Sequence, residues 1–299
     1  MDVYVNGNML DLSQRAIRVD DAGLLHGVGL FETMAVHHGR VFRLQGHLER
    51  LTLSASSLGL SRNLDSSTLQ HAIEATIRHN QIDRGRLRLT VTAGALSLLN
   101  EPPRHAPQPT IMVTPSAPTI YDPACFESGI MVQIAGQGAN PFDPLAGHKI
   151  LNYWSRLHTL RQAAAVNAGE AIWLNTSNHL ASGAVSNLFL VKDGCLKSPF
   201  ARGEEVPDAL PAPVLPGVTR QVVLEIASSK KIPIECRMLS VEDLLEADEV
   251  FLTNSSWGVL PVTRVEKRTI ADGKVGQMTS QLRSALLKLM DTETAANNN

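Results

Sequence analysis

Asn140-Pro141-Phe142-Asp143-Pro144-Leu145-Ala146-Gly147-His148-Lys149-Ile150-Leu151-Asn152-Tyr153-Trp154 is the stretch on which the reading of this chain turns. It sets a single lysine between a Pro/Gly turn and a helix start, among apolar neighbours. Desolvation disfavours an ammonium ion, so such a lysine would keep a neutral amine available for a Schiff base. The same surroundings suit a lysine that snorkels from a helix end, and the segment alone leaves both readings open. None of the eight lysines precedes Lys149, and the other seven sit in charged or turn contexts such as Lys230-Lys231 and Lys192-Asp193-Gly194.

Working outward, the chain has 299 residues, 27 Lys+Arg against 29 Asp+Glu and 43% hydrophobic residues. A net charge of −2 with no basic block leaves no electrostatic footprint for nucleic acid or an anionic membrane. Neither is expected as a partner. The length favours two packed units over one. No apolar run approaches the roughly 18 residues of a membrane span, and Met1-Asp2-Val3-Tyr4 lacks the flank of a signal peptide, so a soluble cytoplasmic protein is expected. Cys125, Cys195 and Cys236 are scattered and odd in number, which predicts reduced thiols and no metal centre.

The periodicities are those of an α+β protein. Val3 to Met9 reads as a hairpin around Asn6-Gly7, and Met34 to Phe42 as a second around His38-Gly39. Leu69, Ile73 and Ile77 recur four apart behind a Ser/Asp capping segment, predicting a helix between Asp65 and Asn80. Leu87, Leu89 and Val91 alternate with polar residues, as in a half-buried strand. A short strand at 110–113 interrupts a proline-rich stretch. Beyond it the pattern predicts strands at 130–134, 171–174, 187–191 and 250–253. Helices are expected at 152–165, after Pro216-Gly217, and from about 279 to 290. The domain division follows: residues 1–114 as a small N-terminal domain, 115–126 as a linker, 127–290 as a larger domain, and 291–299 as a frayed tail.

Three segments suggest anion sites. Leu215-Pro216-Gly217-Val218-Thr219-Arg220 opens an apolar-periodic helix whose free Val218 and Thr219 amides would point at an anion. Thr253-Asn254-Ser255-Ser256 is a hydroxyl-rich turn after a strand. His47-Leu48-Glu49-Arg50-Leu51 supplies an arginine for charge neutralisation. Each is weak alone, since Pro-Gly ordinarily only starts a helix, Ser-Ser lies in a loop, and His-x-x-Arg lines a solvated helix face.

Taken in order with Lys149, these segments resemble the class IV aminotransferase-like pyridoxal-phosphate enzymes of fold type IV, which include branched-chain and D-amino acid transaminases and aminodeoxychorismate lyase. The resemblance runs through Asp21-Ala22-Gly23-Leu24-Leu25-His26-Gly27-Val28-Gly29-Leu30-Phe31-Glu32-Thr33, His47 to Leu51, Lys149 to Tyr153, Ser186-Asn187-Leu188-Phe189, Leu215 to Arg220, and Asn254-Ser255-Ser256 followed by Leu260-Pro261-Val262. It implies a small α/β N-terminal domain, a larger C-terminal pseudo-barrel domain, a homodimer, and pyridoxal 5'-phosphate as cofactor. Lys149 would carry the Schiff base and shuttle the α-proton. Arg50, the Val218 and Thr219 amides and Ser255 would hold the phosphate, and Tyr153 would order the ring's surroundings. Phe31, Ser256 and His26 fall in the expected substrate pocket.

Two departures bear on activity. Where the family has a glutamate paired with the pyridine nitrogen, five residues before the Ser-Asn asparagine, this chain has Ser182, so a protonated ring loses its charge partner. Where transaminases often have Thr-Arg-Gly, it has Thr92-Ala93-Gly94; Arg104 and His105 are substitutes for gripping the substrate carboxylate, or solvated loop residues. A transaminase weakened by Ser182, an aminodeoxychorismate lyase and a non-catalytic cofactor-binding protein are the functions in play.

Overall fold

The structure, a computed structural model describing residues 1–14, 16–61, 64–95 and 108–295, places positive φ of 44° at Asn6 and 95° at Gly7. That pair is the tight turn joining β1 (Val3–Val5) to β2 (Asn8–Leu10), as two-residue hairpins require. After α1 (Ala22–His26), β3 (Gly29–His37) turns through His38 and Gly39, at φ 50° and 70°, into β4 (Arg40–Val41). Helices α2 (Leu44–Ser57) and α3 (Ser66–His79) follow, then β5 (Gly85–Thr92) and β6 (Ile111–Ser116). Asp65 starts α3 by accepting the amide protons of Ser67 and Thr68. The six strands form one sheet in the order β2-β1-β6-β5-β3-β4.

Strand periodicity gives this sheet two different faces. Leu30, Met34 and Val36 of β3 join Leu87, Leu89 and Val91 of β5 in a core closed by Leu48 and Leu51 of α2 and Leu69 and Ile73 of α3. Phe31, Thr33, Arg86, Arg88 and Thr90 belong to the opposite phase, with Phe31 across from Thr90 and Thr33 across from Arg88. The expected half-burial of β5 does not hold at its end, where Thr90 and Thr92 are buried too. Thr92 donates to Asp21, which also accepts from Thr110 and caps α1 through the Gly23 amide.

The second unit begins with α4 (Ala124–Glu127), β7 (Ile130–Ala139), α5 (Trp154–Ala165), β8 (Glu170–Asn175), β9 (Leu180–Gly183), β10 (Asn187–Lys192) and β11 (Cys195–Ser198). It continues through α6 (Val218–Ser229), β12 (Ile234–Cys236), α7 (Val241–Leu245), β13 (Glu249–Asn254), β14 (Gly258–Val265), β15 (Arg268–Thr269) and α8 (Gln277–Thr294). Its nine-stranded mixed sheet runs β12-β11-β10-β13-β14-β7-β8-β9, with β15 beside β14. The sheet curls until β9 lies against β10, which gives the expected pseudo-barrel. Leu188, Leu190, Leu252, Leu260, Val132 and Ile172 fill one of its cores.

The described residues within 1–119, 148–153 and 290–295 pack as one compact unit, and residues 120–147 and 154–289 as the other. The Lys149 segment, assigned by sequence to the larger domain, thus packs with the first unit. Helix α5 starts at Trp154 instead of Asn152, because Leu151 is tied to β3 through its amide to the Gly29 carbonyl. Helix α8 is longer than expected at both ends. Glu249 accepts the Met278 and Thr279 amides at its start. Asp291 and Glu293, placed by sequence in a frayed tail, are helical and pair with His38 and Arg43.

Candidate active site

Lys149 is positioned as if by an extra edge strand. Its carbonyl accepts the Phe31 amide at 2.9 Å, the Leu151 amide donates to the Gly29 carbonyl at 2.9 Å, and Ile150 bridges Leu30 between them. Gly29 permits this approach: a Cβ there would come within 2.6 Å of both the Leu151 side chain and the Val91 carbonyl. The pairing sets the Lys149 side chain beside its neighbours on β3. Its Nζ stands 4.4 Å from the Phe31 ring centroid and 5.7 Å from that of Tyr153. The two rings meet edge to face at 5.3 Å.

Arg88 joins this group, and the sequence reading passed over it. Its guanidinium carbon lies 3.7 Å from the same Phe31 centroid, so amine and guanidinium are no farther apart than those two distances together. Arg88 has no carboxylate partner among the described residues. Although the residue as a whole is exposed, burial of its head group lowers its pKa from the usual arginine range. An amine beside an unneutralised guanidinium suits a substrate bearing both an electrophilic carbon and a carboxylate.

On the other face of β3, Glu32 is buried and receives both Arg50 and His47 from α2. Arg50 donates through Nε at 2.8 Å to Oε1 and through Nη2 at 2.5 Å to Oε2, and His47 Nδ1 lies 2.8 Å from Oε2. Desolvation pushes the carboxyl pKa up, but the Arg50 charge and the His47 bond outweigh it and hold Glu32 at about 2. Burial lowers the His47 pKa from the ordinary histidine range, against the bond and charge of Glu32, which raise it. Arg50, expected as a phosphate ligand, is therefore fixed in direction by a bidentate carboxylate.

In the second unit, helix α6 starts at Gly217 with no side-chain cap. Its first amides, Val218 and Thr219, are those expected from sequence to face an anion, and they open a 12-residue helix. Asn187 explains the Ser-Asn motif: its Nδ2 donates to the Leu215 carbonyl at 2.8 Å, and a Cβ at Gly217 would meet its Oδ1 at 2.0 Å. Thr253, paired across the sheet from Asn187, has a buried hydroxyl with no hydrogen-bond partner among the described residues. In the following turn Asn254 Oδ1 accepts the Ser256 and Trp257 amides, so the Ser256 N–H is already engaged, while Ser255 stays outside those bonds. Uncapped helix amides with an orphaned buried hydroxyl nearby suit a phosphate group.

Ser182, on β9, is buried, and Arg156 of α5 reaches it: Nη1 is 3.4 Å from Ser182 Oγ and 3.1 Å from the Gly183 and Ala184 carbonyls. From the other side the buried Glu170 accepts the Ala184 and Val185 amides and the Ser186 hydroxyl. Burial raises the Glu170 pKa against these bonds. Neither Arg156 nor Glu170 was singled out from sequence, where Arg156 reads as an ordinary member of its helix and Glu170 falls just before the expected strand. His26 ends α1, exposed, and its side chain makes no polar contact among the described residues. Arg104 and His105 lie outside the described residues.

The family model for amino-transferase class IV matches residues 29–265. A putative branched-chain-amino-acid aminotransferase of Methanocaldococcus jannaschii is 32% identical over 286 residues, 95% of this chain and 94% of that protein. The D-alanine aminotransferase of Staphylococcus epidermidis is 27% identical, covering 98% and 99%. Among solved structures, the branched-chain amino acid aminotransferase of Escherichia coli matches with a TM-score of 0.87 at 25% identity, covering 100% and 97% of the two chains. The 4-amino-4-deoxychorismate lyase from Pseudomonas aeruginosa matches with a TM-score of 0.83 at 29% identity, covering 97% and 99%.

Proposed function

Because this chain belongs to the class IV aminotransferase family, we propose that it is a pyridoxal 5'-phosphate enzyme moving an amino group from an amino acid, of branched-chain or D-amino acid type, to a 2-oxo acid. The observation that carries this reading is Lys149 Nζ and the Arg88 guanidinium sharing the Phe31 ring. An amino acid offers what each takes: an α-carbon whose proton an amine can move, and a carboxylate for a guanidinium. When bound, the cofactor supplies the electron sink that makes the α-proton removable.

The chain's residues do the rest. Lys149 supplies the amine that attaches the cofactor and carries the α-proton. The Val218 and Thr219 amides, Ser255 and Arg50 hold the phosphate, with Thr253 added to the residues expected from sequence. Phe31 and Tyr153 wall the lysine against water. Ser182, lacking a carboxylate's charge, makes this a slower transaminase than one with glutamate at that position. The resemblance further supports a homodimer. No described helix is long and apolar enough to cross a membrane.

The same serine favours a second reading, elimination of pyruvate from aminodeoxychorismate, which is the reaction class of the lyase neighbour. An amino-donor screen with the purified protein separates the readings. Transamination yields the 2-oxo acid of the donor and converts the cofactor to its amine form. The lyase yields pyruvate and 4-aminobenzoate without that conversion. A protein that binds cofactor and does neither is the non-catalytic case. Lys149→Ala is expected to abolish covalent cofactor attachment.

A further inference from the structure

Ser182 presents a buried hydroxyl that is only half satisfied. Its oxygen accepts from Arg156, but no acceptor for its proton exists among the described residues. A buried donor without an acceptor is costly, and an acceptor atom on a bound molecule would complete the hydroxyl's bonding. The segment is held tightly enough to aim it. Arg156 gathers the Gly183 and Ala184 carbonyls, Glu170 gathers the Ala184 and Val185 amides from the opposite side, and the strand places Ser182 across from Trp173, over whose ring the Arg156 guanidinium sits at 4.9 Å. Gly183 is required between them, since a Cβ there would reach 2.0 Å from Ser186 Oγ and 3.0 Å from Glu170 Oε2.

Resting on the cofactor reading above, we infer that Ser182, positioned by Arg156, donates its hydroxyl proton to the pyridine nitrogen of the cofactor and so keeps that nitrogen unprotonated. An unprotonated pyridine is an acceptor and completes the serine's bonding. A pyridinium is a donor, and it would bring its positive charge towards an oxygen already facing a guanidinium. The charged groups that bond to this segment include Arg156, from α5, and Glu170, from β8. The Glu170 carboxylate is committed to the Ala171, Ala184 and Val185 amides and the Ser186 hydroxyl, so it does not replace the family's missing glutamate. Arg156 is a positioning residue: it sets the direction of the Ser182 proton and adds the field that opposes ring protonation.

The test is the nitrogen-15 chemical shift of ring-labelled cofactor in the reconstituted full-length protein, followed across neutral pH. The wild type is expected at the unprotonated position, several tens of ppm from the pyridinium. Ser182→Glu should move it to the protonated position. Arg156→Gln should raise the midpoint of the nitrogen's titration by at least about one pH unit, and Arg156→Lys by less. A merely structural arginine would leave the shift unmoved. Borohydride reduction of the same samples, with mass analysis of the Lys149 peptide, reports attachment separately. An adduct at Lys149 with a protonated ring nitrogen in the wild type, or a midpoint insensitive to Arg156→Gln, overturns this inference alone. An absent adduct overturns the cofactor reading and this inference with it.

Discussion

Phe31 and Glu32 are adjacent on one strand and serve opposite faces, one beside the lysine and the other under α2. Glu32→Gln leaves the Arg50 charge without its carboxylate and is expected to cost about 3–5 kcal/mol, read by urea unfolding at neutral pH. The acid dependence has a definite sign. The Glu32 carboxyl lies at about 2 in the fold against its ordinary 4.5, so its contribution is full above 4.5 and is lost as pH falls towards 2. His47, lowered from 6.5 by burial, also favours the fold above 6.5 and ceases to do so as pH falls through its depressed value. Unfolding free energy should therefore decline on acidification, with a shallower decline in Glu32→Gln. Arg88→Leu should raise KM for carboxylate-bearing donors by about 10–100-fold with little change in thermal midpoint, as expected for a lost charged hydrogen bond. Lys149 was singled out by the order of the motifs around it, because its own segment left the snorkelling reading open. Arg88 was not, because in the alternation of β5 it is simply the polar phase, and only β3 across the sheet shows what it faces.

Elements were legible where local chemistry sets their ends. The Asn6-Gly7 and His38-Gly39 turns, the Asp65 cap and the Pro216-Gly217 helix start all appear as read. Strands β9 and β14 were missed because they are almost wholly buried, so no alternation marks them, and β14 carries Pro261, a residue uncommon in central strands. The proline is tolerated because pairing of β14 with β7 begins only at Val262 and shifts register before Arg264. The cradle built by β10 and α6 makes its own prediction. In Gly217→Ala the added methyl displaces Asn187, and cofactor affinity should fall by about tenfold or more, measured by fluorescence titration. Thr253→Val, which removes only the orphaned hydroxyl, should weaken the cofactor less while leaving the apoprotein as stable or more so.

For the whole molecule, a ligand held by the native state alone must stabilise it. Cofactor at a hundred times its dissociation constant should add about 2.7 kcal/mol to unfolding, seen as a higher thermal midpoint that phosphate-site variants lose. The fold class and the order of motifs were readable over nearly the whole length, because each motif is a short run with its own turn chemistry. The membership of residues 148–153 was not, since what assigns them is a pair of backbone bonds to β3, more than a hundred residues away in sequence. Those bonds have one more use. The Phe31 N–H is donated to the carbonyl of Lys149 itself, so its hydrogen cannot exchange with solvent deuterium while the lysine's backbone is seated. One amide on β3 thus serves as an isotopic clock for the lysine proposed to hold the cofactor, timing each departure of Lys149 from its place without a label, a substrate or a mutation.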